Sequence, residues 1–386
     1  MTYEFLVTDG CMSQEKQPYF PGLDGVLAGE TAISTIEGGL QYYGYAVRDL
    51  AEDATFEEVA HLLLRGRLPS EEELADFEAV LVEASTVPDE VINFMSTIPL
   101  HVGEMDVLRT TVSALAHWDE DPTGSSNVTK AERLLGQIPI LIAARYRQRM
   151  GLRVLKPQPD LSVAGNLIYL ITGDEPSPTQ ERAMDVSLIL YAEHEFNAST
   201  FTARVVTSTQ SDLHSAVVAA ISALKGPLHG GANEQVLKQL QEIGSPDNAE
   251  DWFHNMIGQK RRLMGFGHRV YKEGDPRAYV LKDYCVRLAE ECGQLELERT
   301  AETIERLARD AKGLYPNLDW PSARLYYYLG LDVDLFTPLF VAGRVAGWCA
   351  HIIEQTQHNR LIRPRAKYVG QTGLTFEPLS ERESLE

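Results

Sequence analysis

Residues 335–353 read LFTPLFVAGRVAGWCAHII, and the placement of this run decides the fold. It is apolar enough and long enough to suggest a membrane span. Arg344 stands at its middle, however, and an arginine at a bilayer centre costs about 2.5–3.5 kcal/mol on insertion scales. The run therefore predicts a helix buried inside a soluble protein. Gly343 and Gly347 would let another helix approach it closely. A buried guanidinium needs an anion, and no acidic residue lies within a turn of Arg344 in sequence. Two partners are open to it: the carboxylate of a bound ligand, or a distant Asp or Glu.

Working outward, the chain reads as helix upon helix. Thr55 with Glu58 and Ser70 with Glu73 have capping-box spacing ahead of apolar positions. Thr129 with Glu132 predicts another helix start. Ser177, Pro178 and Gln180 supply an N-cap, an N1 proline and an N3 partner for a long helix leading to Glu195. Asp275-Pro276 opens a helix carrying Tyr279 to Leu288, and Ala232–Ile243 reads as a further one. Glu30–Ile36 and Leu40–Tyr45 predict two short strands joined by Glu37-Gly38-Gly39. There is no βαβ alternation, no G-x-G-x-x-G and no Walker loop, which argues against nucleotide sites of those types. The expectation is a mainly α fold of roughly fifteen to twenty helices with a short N-terminal β-hairpin. No linker or low-complexity tract appears. A two-domain division must then be compact: a large domain of 1–222 plus 328–386, and a small one of 223–327 between glycine-rich hinges.

The 386 residues are 44% hydrophobic, enough to bury a substantial core. A net charge of −21 argues against nucleic acid and anionic membrane surfaces as partners. The 35 basic residues divide into 10 lysines and 25 arginines. Few lysines among abundant carboxylates predict a salt-rich cytoplasm, where screening makes surface repulsion tolerable. Cys11, Cys285, Cys292 and Cys349 lack any metal-binding spacing and fit a reducing compartment. The N-terminus has no basic or long apolar segment of the signal-peptide kind. Asn127-Val128-Thr129 and Asn197-Ala198-Ser199 match a glycosylation pattern without meaning in the cytoplasm.

The chemistry concentrates at glycine-flanked histidines. His229 lies in Leu228-His229-Gly230-Gly231-Ala232-Asn233-Glu234, just before a predicted helix entrance that favours anions. His268 repeats the pattern in Gly265-Phe266-Gly267-His268-Arg269-Val270-Tyr271. Arg277 falls in the first turn of its helix, an adverse place for a cation unless it and the helix end together grip an anion. Arg363-Pro364-Arg365 puts like charges side by side. Asp319, between Leu318 and Trp320, is placed for a carboxyl raised by desolvation into a usable base. His194, in Glu193-His194-Glu195, does not form a zinc-protease motif. Each has a plainer reading: core histidine, solvated loop or turn-capping aspartate.

The segments Leu228–Glu234, Gly265–Tyr271, Asp275–Arg277, Pro316–Asp319 and Arg363–Arg365 closely resemble citrate synthase. Gly22–Thr31 and His194–Arg204 add to the resemblance, which runs nearly the whole chain. It is most similar to the shorter dimeric prokaryotic and archaeal form, without the extra N-terminal domain of the hexameric one. The resemblance implies a two-domain helical fold and the condensation of acetyl-CoA with oxaloacetate. Citryl-CoA is then hydrolysed to citrate and CoA, the first step of the tricarboxylic acid cycle. Asp319 would be the base, His229 the donor to the thioester carbonyl, and His268 the group that polarises and protonates the ketone oxygen. Arg277, Arg344 and Arg363, with His194, would hold oxaloacetate, and Arg363 would come from the other subunit of a homodimer. Lys272 and Lys312, Arg262 and the backbone of Leu263, Met264 and Gly265 would hold CoA, with Arg261 a further candidate. No metal and no cofactor are expected, and the CoA thioester is a substrate.

One departure stands out. The family's aspartate is usually followed by a small or aromatic residue and Ser-Gly, where this chain has Trp320-Pro321-Ser322-Ala323. The proline predicts a shifted loop at Asp319. Two alternatives remain: 2-methylcitrate synthase, which uses propionyl-CoA, and a non-catalytic acidic scaffold on the same fold.

Overall fold

The computed structural model of the chain describes residues 19–118, 126–268, 271 and 273–382. They divide into two units. One joins the N-terminal residues up to Glu30 with the C-terminal residues from Arg363; the other is Thr31–Ile362. The first unit holds two single-turn 3-10 helices, Pro21–Leu23 and Leu379–Glu381. Arg382 lies over the Phe376 ring in the same unit.

The second unit opens with a three-stranded antiparallel meander: β1 (Ser34–Thr35), β2 (Gln41–Tyr42) and β3 (Tyr45–Ala46). The predicted hairpin is thus present with shorter strands. Its second arm turns again at Tyr43-Gly44, both at positive φ, to add a third strand. Sixteen α-helices follow among the described residues. The first group is α1 (Val47–Asp53), α2 (Phe56–Arg65), α3 (Glu71–Ala84), α4 (Asp89–Ser96) and α5 (Glu104–Leu115). Next come α6 (Asn127–Arg149), α7 (Val163–Thr172), α8 (Pro178–Ala192), α9 (Ala198–Ser208) and α10 (Leu213–Leu224). The remainder are α11 (Ala232–Ile243), α12 (Ala249–Gly258), α13 (Pro276–Cys292), α14 (Leu295–Lys312), α15 (Asp319–Tyr328) and α16 (Phe336–Gln357).

Local signals set most of the starts. Reciprocal capping boxes close α2 at Thr55, α3 at Ser70 and α8 at Ser177. Two predictions need correction. Helix α6 begins earlier, because Ser126 accepts from the Thr129 amide and Thr129 is its third residue. Glu132 then turns to Arg65 on α2 instead of capping. Helix α8 stops at Ala192 rather than reaching Glu195, since Glu193 is extended.

The apolar run forms α16, and every residue from Phe336 to Ile352 is buried. It lies among α2, α5, α6, α8, α9 and α10 at the heart of the core. At Gly347 an added Cβ would overlap the Ala192 carbonyl and the Glu193 carboxylate, so the glycine is what lets α16 meet the end of α8. Helices α11–α15 fall within 223–327 or just beyond it and pack chiefly on one another. They reach the rest chiefly through α13 on α8 and α1, and through α11 on α16.

Candidate active site

The ends of several helices converge on a cavity of about 690 Å³. His194, His229, His268, Asp275, Arg277, Asp319 and Arg344 all line it. Residues scattered over 150 positions of sequence are therefore brought together.

His229 sits on the loop between α10 and α11. Its backbone amide donates to the Gly226 carbonyl at 2.9 Å. Gly230 is needed for closeness, not for an unusual φ: a Cβ there would lie 2.5 Å from the Leu224 carbonyl oxygen. Ser199, at the start of α9, presents its hydroxyl 2.8 Å and its amide 3.3 Å from His229 Nε2. An amide only donates, so Nε2 accepts and the neutral ring carries its proton on Nδ1. Burial, assisted by Arg344, lowers the imidazole to about 4, which keeps it neutral at physiological pH.

His268 follows two glycines that do occupy the left-handed region, Gly265 and Gly267, both at φ +76°. The Asn317 amide donates to the Gly265 carbonyl, and the Gly267 amide to the Tyr315 carbonyl. These bonds tie the histidine loop to the segment that leads into Asp319. The Tyr271 amide donates to His268 Nδ1 at 3.3 Å, leaving Nε2 as the donor of the neutral ring. Burial and then Arg277 push this imidazole down. His194 meets His268 edge-on at 5.2 Å and lies 3.1 Å from the Tyr271 hydroxyl through Nε2. Burial, then Arg277 and Arg344, hold it well below the ordinary histidine range.

Asp319 is the first residue of α15. Pro321 is the third, where a missing amide costs no intrahelical bond, so the proline sits within the helix start and not in a displaced loop. Burial raises the Asp319 carboxyl to about 6, against a hydrogen bond from the Tyr191 hydroxyl. That places a carboxylate base close to neutrality.

Arg277 and Arg344 differ. Arg277 is clasped by Asp275, with Nη2 at 2.8 Å from Oδ2 and Nε at 3.0 Å from Oδ1. The adverse position in the first turn of α13 is thus met by the helix's own N-cap, without a bound anion. Burial alone would raise Asp275, but Arg277 outweighs it and the carboxyl ends low. Arg344 donates through Nε to the Tyr191 carbonyl at 2.6 Å and lies over the Phe340 ring. Among the described residues no carboxylate comes within 4.0 Å of it. Glu193, the carboxylate that most offsets its burial, has its Oε1 engaged by His351 at 2.9 Å and by Ser34. Burial pushes Arg344 down to about 10. It remains charged at neutral pH and faces a cavity able to admit an anion.

Of the residues expected to hold CoA, Arg262 and Met264 line the cavity. Leu263 is buried, and Gly265 packs against Val236 and Trp320. Lys312 is exposed at the end of α14 and does not line the cavity. Lys272 lies outside the described residues, as does Cys11. Arg261 is paired with Glu242 at 2.8 Å. Arg363 is exposed and belongs to the terminal unit.

Sequence reasoning missed Tyr191, Ser199 and Asn197. Asn197-Ala198-Ser199 carried a signal that was read as an idle glycosylation pattern and as part of the His194–Arg204 resemblance, with no role assigned. Asn197 caps α9, its side-chain oxygen accepting from the Thr200 amide and lying 2.8 Å from the Ser199 hydroxyl beside His229. Tyr191 had no signal beyond its place one turn before His194.

A family profile described as "Citrate synthase, C-terminal domain" matches residues 22–365. Citrate synthase 2 of Bacillus subtilis is 46% identical over 366 residues, covering 94% of this chain and 98% of that protein. A 2-methylcitrate synthase of Shewanella oneidensis is 42% identical, covering 96% of this chain and all of that protein. Among solved structures, the ternary complex of Thermoplasma acidophilum citrate synthase with carboxymethyl coenzyme A and oxaloacetate superposes with a TM-score of 0.88. It is 36% identical and covers 94% of this chain and 99% of that one.

Proposed function

The chain belongs to the citrate synthase family and is an enzyme, a transferase of the citrate synthase type. We propose that it joins the methyl carbon of acetyl-CoA to the ketone carbon of oxaloacetate, then hydrolyses citryl-CoA to citrate and CoA. The observation that carries this reading is one cavity holding a raised carboxylate, two neutral histidines and an arginine with no carboxylate within 4.0 Å among the described residues.

Asp319 takes a proton from the acetyl methyl group. His229 donates from Nδ1 to the thioester oxygen as negative charge develops there. The enol carbon attacks the ketone, and His268 donates from Nε2 and protonates the resulting alkoxide. Arg344 and Arg277 hold the carboxylates with His194, and Arg363 of the partner subunit completes the set in a homodimer. Arg262 with the Leu263–Gly265 backbone, Lys272 and Lys312 hold CoA. Residues 223–327 form the small domain that closes over oxaloacetate and excludes water until the carbon–carbon bond exists. The reaction calls on no metal and no resident cofactor, and it runs in the cytoplasm.

Relatives bearing the name 2-methylcitrate synthase favour a second acyl donor, propionyl-CoA. One methylene is worth only about 1–3 kcal/mol of discrimination. The ratio of kcat/KM for the two thioesters decides between them. Oxaloacetate-dependent release of free thiol from acetyl-CoA tests the reaction itself. Asp319→Asn should lower kcat by about 10²–10⁴-fold and leave oxaloacetate binding by calorimetry intact. Lost binding would contradict the role of base. The charge of −21 supports a halophilic setting, and stability against unfolding should rise from low to molar salt. Full stability at low salt would remove that part of the proposal.

A further inference from the structure

Two hydroxyls stand behind the Asp319 carboxylate, and the proposed reaction does not use them. Tyr191, in the last turn of α8 and 1% exposed, brings its hydroxyl to 3.1 Å from Asp319 Oδ1. The Tyr191 hydroxyl oxygen also lies 2.7 Å from Ser322 Oγ on α15. Each hydroxyl has one proton. An ionised Asp319 can only accept, so Tyr191 gives its proton to Asp319. Ser322 is then left to give its own to Tyr191. The alternative acceptor for Ser322, the Asp319 carbonyl, is more distant at 3.3 Å. The chain of donors therefore has one direction: Ser322 to Tyr191 to Asp319.

The tyrosine has little freedom to turn away. Its ring packs on Phe340 with centroids 4.3 Å apart, and its backbone carbonyl is held by Arg344. Asp319 is likewise fixed, since its amide donates to Asn317 Oδ1 at 3.0 Å. We propose that Tyr191, backed by Ser322, is a positioning residue that holds Oδ1 of Asp319, favours its carboxylate form and leaves Oδ2 for the substrate methyl proton. This rests on the reading of Asp319 as the base.

The charged and titratable groups that act on Asp319 are Tyr191 from α8, Asp275 and Arg277 at the start of α13, Arg344 from α16 and Tyr326 on α15. Of these, Tyr191 is the one whose side chain hydrogen-bonds the carboxylate. A donor to the anion favours the charged form. Removing it raises the pH at which the base becomes available. Tyr326 is a built-in control, because its hydroxyl is also buried but pairs with Ser187 at 2.8 Å.

The experiment measures kcat/KM for acetyl-CoA against pH at saturating oxaloacetate, on the full chain. Tyr191→Phe should move the acid limb up by about one pH unit and leave the oxaloacetate KM unchanged, since Arg344 holds only the backbone of Tyr191. Ser322→Ala should shift the limb less, in the same direction. An acid limb that Tyr191→Phe does not move overturns the proposal, as does an equal shift in Tyr326→Phe. A wild-type chain that releases no thiol would instead sink the condensation reading. The relay is then judged by NMR of aspartate labelled at the carboxyl carbon, with Asp319→Asn assigning the signal. An Asp319 midpoint unmoved by Tyr191→Phe overturns it there too.

Discussion

Arg324 on α15 and Arg344 on α16 are buried to nearly the same degree, and each lies over the ring of the residue four positions before it, Trp320 or Phe340. Their electrical settings are opposite. Arg324 donates through Nε to Glu298 at 2.7 Å and has Glu305 at 3.8 Å. Burial is the largest single influence and lowers Arg324, but Glu298 together with Cys285, Glu305 and Tyr328 turns the net shift upward. Arg344 has no such neighbour, and burial prevails. A paired buried arginine belongs to the architecture. One beside a cavity, with no carboxylate within 4.0 Å among the described residues, has room to meet an anion there. The difference lies in the neighbours, not in the arginine or its depth.

Breaking the paired site should have the largest effect. Glu298→Ala leaves Arg324 buried without its main carboxylate and should destabilise the protein by about 3–5 kcal/mol, read by denaturant unfolding at neutral pH. A cost near zero would mean that Glu305 can replace Glu298. Arg344→Met should act in the reverse sense. Its folded pKa lies below the unfolded value, so the charged form carries a penalty at every pH below about 10 that fades above it. Removing the charge should stabilise the empty protein by ~1–2 kcal/mol while weakening oxaloacetate about 100-fold. A variant that binds as before would return Arg344 to the architecture.

The smallest effect sharpens the contrast through pH. Asp319, raised to about 6, must be ionised to act, so kcat/KM should fall about tenfold per unit below pH 6. The same shift has a stability sign. A carboxyl raised in the folded state costs stability above its folded pKa and none below its unfolded one. Asp319→Asn should therefore raise the melting temperature at pH 8 and leave it nearly unchanged at pH 3. Equal shifts at both would detach the effect from ionisation.

Much of the helical architecture was readable from short-range chemistry. Thr55–Glu58, Ser70–Glu73 and Ser177–Gln180 bond over three residues, so their sequence spacing already contains the geometry. The failures at Thr129 and Arg277 were failures of partner choice. Ser126 stood one turn earlier, and Asp275 was seen as a helix opener but not as the anion for Arg277. His229, His268, Asp319 and Arg344, singled out because their local contexts are costly without a ligand or partner, all line the cavity.

The sequence alone dictated where most helices begin, which run is buried and which side chains are candidates for the chemistry, since these depend on neighbours a few residues away. Tertiary structure decided how each of those groups is held. Tyr191 reaches Asp319 across 128 positions and Ser199 reaches His229 across 30. Proton position and carboxylate pKa follow from such contacts, because they depend on burial and hydrogen-bond partners that only the packed chain brings together.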